Sequence, residues 1–302
     1  MVATISFIVI RTAPGDPFSY DSPNISPAIR AQWRAKSGYD RPVLEQFARY
    51  VSNLAHGQLG LSTSRRTTVA HALADAIPNT LLLVGVALTL SVGLGMIAGV
   101  LQATRRRGWF DRISSTILLV FYSLPDFWGA LMMLLVFAYW WRVLPSGYMV
   151  DPFHEYMHGW RAFADRVRHL ILPASTLTLL TMAAIARYQR AAMLEVLPAD
   201  YIRTARAKGV SDRAIIWRHA LRNALTPMVA LLGLLFPVLI GGALFVEKIF
   251  SWPGMGALAA EAVSKRDYDL VTAIVVVGSV MVVIGNLMAD LLHMAIDPRV
   301  RE

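Results

Sequence analysis

The sequence predicts an all-α polytopic membrane protein with six transmembrane helices, the first of them N-terminally truncated. Three observations carry this prediction. Of 302 residues, 56% are hydrophobic and only 16% charged, and mean hydropathy is +0.49; a soluble domain averages about 45–50% apolar and about 25% charged residues. The apolar residues collect in long runs, the clearest being Asn79–Leu101, uncharged over 23 residues. At about 1.5 Å per residue this reaches about 34 Å, enough to cross a hydrocarbon core of about 30 Å. Finally, the 29 Lys and Arg residues fall between the runs rather than within them.

That basic excess, +9 with a pI near 10.1, would suit a nucleic-acid binder on charge alone. The apolar excess and the placement of the charges exclude it. With 20 Gly, 15 Pro and no Cys, collagen, a disordered chain, a disulfide scaffold, thiol catalysis, Cys-ligated zinc and iron–sulfur clusters are excluded as well.

Taken in order, Val2–Ile10 is apolar, but Arg11 follows, and nine residues reach only about 14 Å. The segment lacks the basic start and cleavage site of a signal peptide. It reads as the second half of a first span (residues 1–10) whose beginning lies upstream of a late start codon, the alternative being a short interfacial segment. Residues 11–78 read as an extracytoplasmic, mostly helical region. There Arg41-Pro42 opens a helix with Val43, Leu44, Phe47, Tyr50, Val51 and Leu54 on one face, and His56-Gly57 ends it. A second short helix is expected from Thr68 to Ile77, stopped before Pro78. Residues 79–302 form the transmembrane core, with spans at about 79–101, 113–141, 170–186, 224–246 and 270–291 and a basic loop at 187–223.

Orientation follows from the basic residues. Four in 102–112, eight in 187–223 and two in the C-terminal tail make 14 on one side, against seven in the short loops on the other. The positive-inside rule then places both termini in the cytoplasm; the eight in the long segment 11–78 are discounted.

Within the spans, Ser91, Gly95 and Gly99 form a small-xxx-small stripe that admits a close helix, read either as a gating or partner interface or as ordinary packing within the chain. Pro125 and Pro237 kink their helices and, with Asp126, Asn286 and Asp290, are candidates for pathway or helix-kink positions. Asp126 follows Pro125 and is placed to cap the second half of a broken helix; Asp290 lies close to Arg299 as a structural ion pair or hydrogen-bond anchor. No series of buried acids suggests a proton relay.

The loop 187–223 is the most informative segment. Pro198-Ala199-Asp200 starts a helix, Tyr201–Lys208 continue it, Gly209 supplies a left-handed C-terminal cap, and Ser211 caps a second helix leading into the fifth span. The result is a short basic helix–glycine–helix suited to a groove on a cytoplasmic partner, or alternatively a loop that binds anionic lipid.

ADYIRTARAKGVSDRAIIWRHALRNALTP resembles the coupling ("EAA") loop of binding-protein-dependent ABC transporter permeases, and more narrowly the dipeptide/oligopeptide/nickel permeases. Counting back from Gly209, the family's Glu position holds Arg203 and its two Ala positions hold Thr204 and Ala205. The loss of the acid departs from the broad pattern, though Tyr-x-Arg-Thr-Ala-Arg-Ala-Lys-Gly is usual in the peptide subfamily. Ala13–Pro17, Asp40-Arg41-Pro42, Gly57–Gly60 (Gln58 where an Asp is usual), Ser123–Trp128, Phe250–Gly256, Arg266-Asp267-Tyr268 and Asp297-Pro298-Arg299 extend the likeness across almost the whole chain.

The resemblance implies an ABC importer type I permease fold and a subunit of a bacterial or archaeal cytoplasmic (inner) membrane. It implies a second similar permease, two cytoplasmic ABC ATPases docked through 195–222, and an extracytoplasmic solute-binding protein as partners, with no nucleic acid. Tyr201, Arg203, Thr204, Ala205, Lys208, Gly209 and Ser211 are then the coupling residues. The chain has no phosphate-binding Gly-x-x-x-x-Gly-Lys loop, so it is expected to carry no cofactor, ATP being used by the partner ATPases, and to be no enzyme itself. The cargo is a peptide or a similar small solute.

One rival motif remains. His154-Glu155-Tyr156-Met157-His158 is a literal H-E-x-x-H, in which two His one helical turn apart bind zinc and Glu serves as base. A membrane metalloprotease using it is the alternative function. The motif sits in a short loop between Pro152 and Gly159, and its nearby third-ligand candidates Glu155, Asp151, Asp165 and His169 lie at no zincin spacing. No metal is expected, with His154 and His158 as the weak candidates.

Overall fold

The computed structural model describes residues 2–12, 28–29, 32, 35, 38, 40–225, 228 and 243–296. Outside them lie the Ala13–Pro17 motif, most of the 224–246 span with Pro237, and Asp297-Pro298-Arg299, the expected partner of Asp290 included. The chain divides into two compact units, Met1–Thr80 with Pro253–Met281, and Leu81–Trp252 with Val282–Glu302.

In the first unit, α1 (Val2–Thr12) and α2 (Val43–Ala55) meet through aromatic rings: Phe7 stacks on Tyr50 at 5.3 Å and tilts against Phe47 at 5.4 Å. Tyr50 and Phe47 are a turn apart on α2, as its amphipathic spacing requires. Two antiparallel two-residue strands follow, β1 (Leu61–Ser62) and β2 (Thr67–Thr68), with Leu61 opposite Thr68.

Next, α3 (Val69–Thr104) buries Val69, Ala72, Leu73 and Ala76, a 3–4 spacing, against Met255, Leu258 and Ala262 of a later helix and Leu270, Ala273 and Ile274 of the last one. The expected stop at Pro78 does not occur: the helix runs through it. Proline removes one backbone N–H and crowds the turn before it. The side-chain amide of the next residue, Asn79, donates to the Asp75 carbonyl at 3.0 Å and to the Pro253 carbonyl at 2.9 Å.

In the second unit, α3 continues to Thr104. After a turn, α4 (Trp109–Ser123) runs to Leu124, and α5 (Asp126–Leu134) leaves at 108° before ending in a π segment, Leu135–Trp140. Leu124 is extended (φ −78, ψ 136) because the proline ring disfavours helix in the residue before it, so Pro125 breaks the span outright rather than kinking it. A loop with one 3₁₀ turn leads to α6 (Trp160–Val196), far longer than its apolar stretch, with Pro173 inside it. Then come α7 (Asp200–Ala207) and a second loop helix, Asp212–Ala214 prolonged by a π segment Ile215–Ala220 and Leu221–Ala224. Residues 243–249 are helical. The chain closes with α8 (Met255–Ser264) and α9 (Tyr268–Ile296).

The Ser91–Gly95–Gly99 stripe faces α6 of the same chain. A Cβ on Gly95 would lie 2.8 Å from the Ile185 side chain, and one on Gly99 2.6 Å from the Ala186 carbonyl oxygen. Ser91 Oγ donates to the Thr178 carbonyl at 3.4 Å. The stripe therefore serves packing within the chain.

Among the described residues, three helices are long and apolar enough to span a membrane, α3, α6 and α9 (to Leu291), and the bent pair Trp109–Ser123 with Asp126–Trp140 makes a fourth.

Candidate functional site

The basic loop folds as its turn chemistry dictates. Asp200 opens α7, with Ala199 at the N-cap and no side-chain capping bond. At its other end the Val210 N–H reaches the Ala205 carbonyl at 3.2 Å and the Gly209 N–H reaches the Arg206 carbonyl at 3.0 Å, the paired bonds of a Schellman cap. Gly209 has φ +77 and open space around its Cβ position, so the backbone conformation, not crowding, requires glycine there. Ser211 Oγ accepts from the Ala214 N–H at 3.4 Å, capping the next helix.

The helix–glycine–helix is seated rather than free. Ile202 and Ala205 of α7, with Ile215, Ala220 and Ala224, bury against Val100 and Ala103 at the end of α3 and Ala192 and Met193 at the end of α6. Tyr201 Oη accepts from Asn223 Nδ2 at 2.8 Å, bracing the two loop helices. The opposite face carries Arg203, Thr204, Arg206, Lys208, Gly209, Ser211 and Arg213, all exposed. Its ion pairs, Arg203–Asp200 at 3.5 Å and Arg206–Asp212 at 3.6 Å, join strongly exposed side chains and hold little energy. Of the seven candidates, Ala205 alone is buried; the other six are presented outward.

Sequence reasoning did not single out the clamp behind this loop. Asp111 in the first turn of α4 accepts from Arg190 Nε and Nη2, both at 2.9 Å, and from the Arg107 backbone N–H at 2.9 Å. It joins the 105–108 turn to the last part of α6. Only the position of an acid in a helix first turn hinted at it; its partner is 79 residues away.

Other candidates disperse. Pro125 takes the N-cap position of α5 and Asp126 its first helical position, without the side-chain cap expected of Asp126. Asn286 and Asp290 are exposed on α9. His154 lies on a single 3₁₀ turn, His154–Tyr156, and its Nδ1 bonds Asp165 Oδ2 at 2.6 Å, while His169 Nδ1 sits 3.2 Å from the other oxygen. Glu155 and His158 are exposed, and Gly159 has φ +56. The two histidines of the motif therefore do not share a helix face. Among the described residues, no group of three His, Cys, Asp or Glu could hold a metal ion.

In the first unit, Asp267 is fully enclosed and collects the hairpin: its Oδ2 accepts from Ser62 Oγ at 2.6 Å, the Ser64 N–H at 2.9 Å and Ser64 Oγ at 2.8 Å. Glu261 on α8 pairs with Arg65 of the hairpin and with Lys265 at 2.9 Å. Partial burial pushes the Glu261 carboxyl up, but the hydrogen bonds and charges of Lys265 and Arg65 outweigh it and hold the group below its ordinary range.

Comparison with known proteins places this arrangement. The chain is 38% identical over 301 residues to the oligopeptide transport system permease protein AppB of Bacillus subtilis, covering 99% of this chain and 94% of that one. It is 36% identical over 318 residues to the dipeptide transport system permease protein DppB of Escherichia coli K12, with coverage of 99% and 94%. The glutathione transport system permease protein GsiC of Escherichia coli O6:H1 is 36% identical, with 100% and 94% covered. Among solved structures, the MetNI methionine ABC transporter in an inward-facing conformation matches with a TM-score of 0.59 at 20% identity, over 75% of this chain and 96% of that one. An amino acid ABC transporter matches at 0.53 and 17%, over 75% and 94%. The family model of the binding-protein-dependent transport system inner membrane component matches residues 91–302. A loop seated on span ends, a broken span and near full-length identity to permeases converge: the chain is a multi-pass inner-membrane permease component of the binding-protein-dependent (ABC) transport family, not itself an enzyme.

Proposed function

We propose that this permease works as one half of a heteromeric pathway, beside a second similar permease, for import of peptides or a similar small solute. ATP is consumed by two cytoplasmic ABC ATPases, and an extracytoplasmic solute-binding protein delivers the cargo. Both termini and the 187–223 loop are cytoplasmic in this reading, which the 14-to-7 partition of basic residues supports. The relatives' names, oligopeptide, dipeptide and glutathione permeases, support the cargo class.

The observation that carries the reading is the loop helix α7. Its buried Ile202 and Ala205 are packed on the ends of α3 and α6 while Arg203, Thr204, Arg206 and Lys208 face outward. A partner gripping that outward face pushes on both helices at once through a packed contact with little slack. ATP-driven closure of the ATPase pair thereby becomes movement of the spans. Tyr201, Arg203, Thr204, Ala205, Lys208, Gly209 and Ser211 serve this coupling, and Pro125, Asp126, Pro237, Asn286 and Asp290 are positions along the moving spans.

Proteoliposomes test the proposal. Uptake of a dipeptide is expected only with the second permease, both ATPases, the binding protein and ATP present; uptake by this chain alone without ATP overturns it.

A further inference from the structure

Three consecutive arginines, Arg105, Arg106 and Arg107, make the turn between α3 and α4, and all three are exposed. The Gly108 N–H donates to the Arg105 carbonyl at 2.9 Å, so the three side chains leave a single closed turn. A Cβ on Gly108 would lie 2.9 Å from that same carbonyl oxygen, which keeps the turn tight. Arg107 adopts the left-handed backbone, φ +61, a conformation that glycine takes freely and a long side chain rarely does. Asp111 Oδ2 holds it there by accepting the Arg107 backbone N–H at 2.9 Å. That bond belongs to the backbone and does not call for arginine. An arginine where glycine would be easier points to a use for its side chain.

The charge of the turn is not met within the chain. Asp111 is the one acid between residues 102 and 112, and both its oxygens are held by Arg190. Arg105 stands over the Phe110 ring at 5.5 Å. Among the described residues no acid pairs with any of the three.

The depth of the turn follows from its flanks. The uncharged run of α3 ends at Leu101, and four further residues rise about 6 Å. A headgroup layer is about 5–7 Å thick on each side of the hydrocarbon core. On the other flank Trp109, 78% exposed, opens α4 with the side chain that favours the membrane–water interface. Guanidiniums at phosphate depth, without a counter-charge, are complementary to lipid phosphate, which arginine grips through paired hydrogen bonds.

We propose that the Arg105–Gly108 turn binds the headgroup of an anionic phospholipid in the leaflet on its own side, through Arg106 and Arg107.

Native mass spectrometry of the full chain in detergent, titrated with phosphatidylglycerol or phosphatidylcholine of matched acyl chains, tests this. Wild type is expected to prefer phosphatidylglycerol, and R106Q/R107G to bind it about 10- to 30-fold more weakly with phosphatidylcholine binding unchanged. Arg107→Gly alone is expected to lose about 3- to 5-fold. Because glycine relaxes the left-handed residue, that variant keeps the fold and reports the charge. R161Q/R166Q removes the same charge from the start of α6 and is expected to change little. Equal phosphatidylglycerol affinity in R106Q/R107G and wild type, or an equal loss in R161Q/R166Q, overturns the assignment. Displacement of the lipid by millimolar inorganic phosphate makes the turn a simple anion site, displacement by the ATPase subunits makes it a protein contact, and either overturns it as well.

Discussion

Arg190 on α6 holds both carboxylate oxygens of Asp111 on α4 at 2.9 Å, and this clasp ties the first turn of the broken span to the helix that ends in the loop. Asp111 is almost fully buried and Arg190 about a third exposed. Removing one partner strands the other's charge, whereas removing both does not. Arg190→Leu is expected to destabilise the protein by about 3 kcal/mol, and D111N/R190Q by less than the sum of its single changes. Thermal unfolding in detergent, read as a double-mutant cycle, checks both.

Gly99 and Gly93 lie on the same helix in opposite circumstances. A methyl on Gly99 meets the Ala186 carbonyl at 2.6 Å and Gln189 Cβ at 2.7 Å, whereas one on Gly93 meets nothing within 4 Å. Gly99→Ala is expected to cost about 1–3 kcal/mol by forcing α3 and α6 apart. Gly93→Ala is expected to be neutral or stabilising by up to about 1 kcal/mol, since alanine is the better helix former. The same unfolding assay separates the two.

The Arg65–Glu261–Lys265 cluster makes the first unit acid-sensitive. The Glu261 pKa is lower folded than unfolded, so the folded form binds fewer protons, and the contribution is complete above the ordinary carboxylate pKa of about 4.3. It is lost as pH falls through the depressed folded value. Glu261→Gln is expected to flatten this acid limb while leaving stability near pH 7 lower than wild type, as seen in unfolding between pH 3 and 7.

Zinc gives a negative expectation. His154 is engaged with Asp165 at 2.6 Å on a 3₁₀ turn, and His158 points to solvent from a non-helical segment. Purified protein is expected to hold no stoichiometric zinc, and Glu155→Ala to transport normally. Metal analysis and uptake measure these; metal-dependent peptide cleavage abolished by Glu155→Ala contradicts them.

Local rules reached some of this fold and not the rest. Charge-free runs pointed to the four candidate spans among the described residues, α3, the bent pair, α6 and α9, because length and apolarity suffice there. Gly209 and Ser211 revealed the loop's caps because αL and N-cap preferences are properties of single residues. Pro78 misled because the helix around it is held by packing of Val69, Ala72, Leu73 and Ala76 on α8 and α9, distant partners that no local pattern encodes. The partner of the Ser91–Gly95–Gly99 stripe was equally out of reach: small residues announce a close neighbour but not its address. The Asp111–Arg190 clasp left only the hint of an acid in a helix first turn, and the π segments at Leu135–Trp140 and Ile215–Ala220 left no signature.

Two substitutions at Gly209 perturb the loop to different degrees. Gly209→Ala strains a left-handed residue by about 1–2 kcal/mol and is expected to weaken coupling, while Gly209→Asn is expected to retain most of it. ATP-dependent uptake by the assembled transporter ranks the variants.

The most direct test uses the absence of cysteine from the chain. A single Thr204→Cys on the exposed face of α7 is placed in the assembled transporter and treated with a short thiol–amine cross-linker, with Ser264→Cys at the end of α8 as the control. A cross-link from position 204 to an ATPase subunit is expected, enhanced or lost as ATP is added, and none from position 264. A cross-link to the ATPase from 264 and none from 204 would contradict it.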